Sequence, residues 1–207
     1  MTETRRIGRP PGLDPALTRT AILDAARARF GQLGYRLASI RVIAAEAGLT
    51  PAALYKHFPS KAAIFAAIYD ELDHQLEAEL RATVTGVAAG LEQVAAAALG
   101  IAAFAQRHPD GAAFMVSAPF ARLHEAELTA VLELRDSATY RVLVDVVRAG
   151  QAAARLRTDV TAEDLARVVA VYLSGVGIHA LTTEAVHGPL RPEFVDAVWR
   201  FLSAGVV

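Results

Sequence analysis

The chain holds 207 residues, 54% of them hydrophobic, with 21 basic against 22 acidic side chains for a formal charge of -1, and it has no cysteine. That length gives one or two domains with a real buried core. The missing thiol excludes disulfides, cysteine nucleophiles and cysteine-held metal or iron–sulfur centres, and the balanced charge, as an average, gives no sign of a nucleic-acid partner.

At the N-terminus Met-Thr-Glu-Thr-Arg-Arg runs into Gly-Arg-Pro-Pro, with no apolar stretch of the kind a secretory signal needs. The longest apolar run, 94–105, is about 12 residues against the roughly 20 that span a bilayer. The expectation is a soluble, cytoplasmic protein without membrane contact. Alanine occurs 44 times and alternating β-branched runs are absent, which predicts an all-α chain.

Asp14 and Pro15 open a first helix over 15–33, with Ile22, Ala25, Ala26, Phe30 and Leu33 at helical spacing and Gly34 as its stop. Ser39 is placed to cap a short second helix whose apolar face is Ile40, Ile43, Ala44 and Ala47 and whose stop is Gly48. Thr50 as N-cap and Pro51 at the first helical position start a third helix that reaches His57. Ser60 caps a long fourth helix carrying Ile64, Phe65, Ile68, Leu72, Leu76 and Leu80 toward Gly86. Five more helices are predicted over 91–107, 110–117, 121–154, 161–184 and 192–203. Gly90, His108-Pro109, Pro119, Gly150, Thr158-Asp159 and Gly188-Pro189 supply breaks.

The charge separates along this order. Residues 1–61 hold ten basic and four acidic side chains, a net +6; residues 62–207 hold eleven and eighteen, a net -7. The near-neutral average conceals a basic head and an acidic body.

Two short helices joined by a glycine turn within about 20 residues make a helix-turn-helix, which sets its second helix in the DNA major groove. Residues 39–58 fit that description. Ala44 and Ala47 are small where the helices cross, and Leu49 and Leu54 pack back on Ile40 and Phe30. Pro51, Ala52, Ala53, Tyr55, Lys56 and His57 are left to project outward. The Thr50 and Tyr55 hydroxyls and the amides of the helix start suit phosphate oxygens, and Lys56 suits either a phosphate or a guanine edge. Lys56 and Lys61 are the only lysines in the chain.

The stretch from Gly34 to Lys61 reads Gly-Tyr-Arg-Leu-Ala-Ser-Ile-Arg-Val-Ile-Ala-Ala-Glu-Ala-Gly-Leu-Thr-Pro-Ala-Ala-Leu-Tyr-Lys-His-Phe-Pro-Ser-Lys. It resembles the DNA-binding domain of the TetR-type transcriptional regulators, with their Ile-Ala, Ala-Gly-Val/Leu-Ser/Thr and Leu-Tyr-x-His/Tyr-Phe-x-Ser/Asn-Lys segments. The resemblance implies an all-helical, nine-helix homodimer. Helices 1–3 would bind DNA, helices 4–7 surround a ligand, and helices 8 and 9 form a four-helix bundle across the dimer axis. Carried over by position, Ser39, Thr50, Tyr55, His57 and Lys61 correspond to phosphate contacts, and Pro51, Ala52, Ala53 and Lys56 to the surface that faces bases. Ala52 and Ala53 depart from members with polar readers there, leaving methyl contacts and Lys56 for direct readout.

Three divisions follow: a basic arm over 1–13, a helix-turn-helix domain over 14–60, and a ligand-binding and dimerisation domain over 61–207. Within the arm, Arg5-Arg6-Ile7-Gly8-Arg9-Pro10-Pro11-Gly12 resembles a minor-groove hook with Arg9 as the inserted residue; a plain basic tail is the other reading. Phe104, Phe114, Met115, Phe120, Tyr140 and Tyr172 lie where core and pocket lining are indistinguishable by spacing. With few neutral polar groups near them, a pocket there favours an apolar or aromatic effector. Ser174 and Gly175 gather small residues in the 161–184 helix, where a glycine costs about 1 kcal/mol relative to alanine. They are assigned, with Val198, Trp199 and Leu202, to the dimer interface.

The histidines show no metal-ligand spacing, and neither a nucleophile turn nor a phosphate loop is present, so no cofactor, metal or catalytic residue is expected. The resulting expectation is a ligand-responsive transcriptional repressor on a pseudo-palindromic operator. A transcriptional activator, a small-molecule-binding helical protein without specific DNA recognition, and a helical enzyme are its alternatives.

Overall fold

A computed structural model describes residues 15–132 and 137–182, and among them every regular element is an α-helix. In chain order these are α1 (Pro15–Leu37), α2 (Ile40–Glu46), α3 (Pro51–Leu54), α4 (Lys61–Val84), α5 (Leu91–Arg107), α6 (Pro109–His124), α7 (Ala126–Val131), α8 (Ala138–Ala152) and α9 (Ala162–Thr182). α1, α2 and α3 form the head. α4 leaves it through Ser60, whose Oγ accepts from the Ala63 amide at 3.0 Å, and runs into the body against α5, α8 and α7. Its Ile64, Phe65, Ile68, Leu72, Leu76, Leu80 and Val84 are buried, the stripe that the spacing predicts. α9 closes the body over α5, α8 and α6, and α6 lies along α1.

The described helices equal the predicted number, but they are not the same nine. The 192–203 helix lies outside the described residues. The helix predicted over 121–154 is broken: α6 ends at Glu125 (φ -122°, ψ 101°), α7 ends at Leu132 (φ -114°, ψ 93°), and α8 begins afresh behind Ser137, whose Oγ accepts from the Tyr140 amide at 3.2 Å.

Two predicted breaks are not breaks. Pro119 stands inside α6, flanked by buried Phe114 and Ala118; packing on α1 and α9 holds the helix through a residue that costs about 3 kcal/mol in a free helix interior. Gly150 also stands inside α8. A Cβ there would come within 2.5 Å of Leu156 Cδ1 and 3.1 Å of Gly90 Cα, so this glycine serves close packing.

Gly34 is a different case. Its φ of 73° and ψ of 170° kink α1, which resumes for one more turn and carries Tyr35 into the core at 4% exposure. No helix among the described residues is long and apolar enough to cross a membrane.

Candidate nucleic-acid interface

The turn between α2 and α3 closes on backbone bonds. The Leu49 amide donates to Ala44 O at 2.8 Å and the Gly48 amide to Ala45 O at 3.1 Å, with Gly48 at φ 70°, in the left-handed region that glycine enters freely. Thr50 Oγ1 then accepts from the Ala53 amide at 3.2 Å and starts α3. The helix is one turn long, but Lys56, His57 and Phe58 amides continue its bonds to Ala53 and Leu54 carbonyls. Leu54 and Phe58 are buried and anchor it, which turns Thr50, Pro51, Ala52, Tyr55, Lys56 and His57 to solvent; Ala53 is half-buried.

Around this face the head is knitted by internal pairs. Arg29 Nε donates to both Glu46 oxygens, at 2.9 and 3.0 Å, joining α1 to α2; the guanidinium lowers the Glu46 pKa and the carboxylate raises that of Arg29. Arg27 holds Glu71 of α4 at 3.0 Å. Arg19 lies over the Phe58 ring at 4.8 Å. Arg41 is exposed beside Ser39 at the start of α2; the motif does not include it, and only the regional charge count signals it.

Two of the sequence assignments look different in the structure. Ser39 occupies the N-cap position, but its side chain makes no capping bond; its backbone carbonyl takes the Val42 and Ile43 amides instead, so the exposed hydroxyl is left for another partner. Lys61, partly buried, already has partners: Nζ lies 4.4 Å over the Tyr35 ring and donates to Arg36 O at 3.3 Å in an exposed hydrogen bond. Burial lowers its pKa, opposed by the charges of Glu127 and Glu125. A phosphate contact by Lys61, which the resemblance implies, would have to compete with these two partners.

The head is fixed to the body by aromatic packing. Phe65 of α4 lies with its ring centroid 4.4 Å from Phe114 of α6, 5.2 Å from Phe30 of α1 and 5.3 Å from Tyr35. The Tyr35 hydroxyl donates to Glu127 Oε1 of α7 at 2.5 Å, and burial followed by this carboxylate drives the phenol pKa up. Tyr35→Phe keeps the ring and removes the bond, and is expected to cost about 1–2 kcal/mol in urea unfolding; an unchanged midpoint would show that the bond adds nothing.

The six pocket candidates stand in different surroundings. Phe114 belongs to the head–body cluster, and Phe120 of the same helix is 60% exposed. Phe104 is buried with its ring 4.9 Å from that of His108. Met115 and Tyr172 pack half-buried against the core. The Tyr140 hydroxyl donates to Glu163 O at 2.8 Å and borders a cleft of about 260 Å³ shared with Arg81, Arg148 and Asp145.

On α9, Ser174 and Gly175 are exposed, and a Cβ on Gly175 would meet open space. Val168, Val171 and Ile178 extend the same helix face as an exposed apolar strip. Arg9, Val198, Trp199 and Leu202 lie outside the described residues. Among the described residues no group of three or more histidine and carboxylate side chains is placed to hold a metal ion.

Residues 22–68 match the family model for bacterial regulatory proteins of the tetR family. The HTH-type transcriptional regulator UidR of Escherichia coli K12 is 37% identical over 70 residues, which are 34% of this chain and 36% of that protein; the chain thus matches about a third of the length of its curated relatives. Over nearly the whole chain the fold is similar to that of Salmonella enterica GusR, with a TM-score of 0.76 and 25% identity over 93% of this chain and 96% of that one. The fatty acid degradation regulator FadR of Bacillus halodurans, 15% identical with a TM-score of 0.73 over 94% of this chain and 98% of its own, shares the fold. Residues 22–68 thus match the tetR family of bacterial regulatory proteins, and the described chain as a whole is similar in fold to Salmonella enterica GusR.

Proposed function

We propose that the protein is a cytoplasmic, homodimeric repressor that binds a pseudo-palindromic operator through two helix-turn-helix heads and releases it when a small apolar or aromatic molecule enters the body. The observation that carries this reading is the exposed row Thr50, Pro51, Ala52, Tyr55, Lys56 and His57, held outward by buried Leu54 and Phe58, within a segment, residues 1–61, of net charge +6. Two-fold symmetry of the protein requires two-fold symmetry of the site, with half-sites about 34–36 Å apart. The strip of Val168, Val171, Ser174, Gly175 and Ile178 is the face through which the copies meet, the bare Gly175 allowing a close helix crossing. Arg9 is proposed to reach the minor groove beside each head, and Val198, Trp199 and Leu202 to complete the dimer bundle.

The test is a gel shift with the DNA upstream of the protein's own coding sequence, titrated with salt. Every phosphate that a side chain neutralises steepens the fall of log K with log salt by about 0.9. Lys56→Ala, present twice in a dimer, is therefore expected to flatten the slope by about 1.8, and Lys61→Ala to leave it unchanged because that ammonium is engaged by Arg36 O and the Tyr35 ring. Absence of a shift sinks the repressor reading; a flattening by Lys61→Ala alone would return the phosphate contact to Lys61.

A further inference from the structure

Two kinds of contact tie the head to the body, and they constrain it differently. The rings of Phe30, Phe65 and Phe114 hold it by apolar burial, which is non-directional and resists separation more than rotation. The bond from the Tyr35 hydroxyl to Glu127 Oε1, at 2.5 Å, is directional and reaches a different helix, α7.

Both ends of that bond are fixed. Gly34, at φ 73°, turns the end of α1 so that Tyr35 enters the core. Its ring meets Phe65 edge-on at 5.3 Å, stacks on Phe30 at 5.6 Å, and carries Lys61 Nζ at 4.4 Å over its face. A phenylalanine would fill the same space; the hydroxyl adds nothing to that packing and has to be satisfied. On the other side Glu127 is exposed, but its helix is held: Leu128 is fully buried, Thr129 Oγ1 donates to Arg122 O at 3.1 Å, and α7 packs on α4 and α6. Lys61, the first residue of α4, feels the charges of Glu127 and Glu125 and donates to Arg36 O. The end of α1, the start of α4 and the first turn of α7 therefore meet around one polar contact.

We propose that Glu127 is a positioning residue for operator binding: through Tyr35 it fixes the angle of the head on the body, and with it the separation of the two recognition surfaces in the dimer. This rests on the operator-binding reading above and adds the residue that sets the half-site spacing. A dimer engages its site only when both heads hold the competent angle. If each head holds it about a third of the time once the bond is lost, the two fractions multiply and affinity falls about tenfold.

Footprinting of the parent on the DNA upstream of its coding sequence locates the site. Gel shifts then compare that DNA with versions carrying one base pair added or removed at its centre, a step of about 3.4 Å in half-site separation. The parent is expected to bind the native spacing most tightly. Tyr35→Phe and Glu127→Ala should each bind that spacing about tenfold more weakly and the altered spacings nearly as well as the parent does, so that the preference narrows. The double variant should lose no more than either single one, because both remove the same bond. Glu127 is exposed, so its substitution leaves the core intact, and circular dichroism should show every variant folded at the assay temperature. Parental affinity and spacing preference in both single variants, an equal loss at every spacing, or losses that add in the double variant each overturn the proposal. No binding by the parent removes the operator-binding reading itself, whereas those three outcomes, obtained with a parent that binds, remove only the role of Glu127.

Discussion

Phe65→Ala is expected to lower unfolding stability by about 3–5 kcal/mol and to weaken operator binding more than the loss of folded protein explains. Phe65 is 1% exposed and touches three aromatic rings from two other helices. It meets Tyr35 edge-on at an interplanar angle of 90° and Phe30 at 63°, arrangements in which the positive edge of one ring lies on the negative face of another. Truncation leaves a cavity bounded by α1, α4 and α6, which cannot collapse without moving the head. Phe65→Leu refills most of the volume and should recover roughly half of the loss. A cycle with Phe114→Ala should give a coupling of about 0.5–1.5 kcal/mol, as for other aromatic pairs. Urea unfolding followed by circular dichroism measures all of these, and a loss below about 1 kcal/mol for Phe65→Ala would mean that the head is held by other contacts.

That cluster also marks where reading the sequence stops. Thr50, Pro51, Gly48 and Ser60 act within four residues of themselves, so the caps and the turn of the helix-turn-helix are legible, as is the buried stripe of α4. Gly34 is legible as a stop, but the direction it gives the following turn depends on Tyr35 finding Phe65, 30 residues on. Phe114 and Phe120 both fall where core and pocket lining look alike; spacing cannot say that Phe114 is buried facing the head while Phe120, six residues later, faces solvent. Lys61 fits an outward role by position, and only the packed fold places Arg36 O and the Tyr35 ring in its reach. Periodicity reports that a side chain is inside, and tertiary packing decides against what.

The break ahead of α8 has the same origin and yields the second large effect, that of Asp73→Ala. Asp73 is a carboxylate 5% exposed in the middle of α4, and it acts as a cap supplied from another helix. It accepts from Ser137 Oγ and from the first two amides of α8, while Thr139 Oγ1 donates back to Asp73 O at 3.2 Å. A negative charge at a helix N-terminus answers both the unbonded amides and the positive end of the helix dipole. Alanine at 73 leaves those amides unpaired, the one on Ala138 in a residue only 1% exposed, at an expected cost of about 3 kcal/mol. Asp73→Asn preserves one carbonyl acceptor but turns an NH₂ toward donors, so it should fall between alanine and the parent. Ser137 still caps the Tyr140 amide in both variants, which confines the damage to the first turn. Hydrogen exchange should therefore quicken at Ala138 and Thr139 before it does at Val146 and Val147. If exchange instead rises uniformly along α8, Asp73 acts on the stability of the whole helix, and the first turn is not its particular point of action.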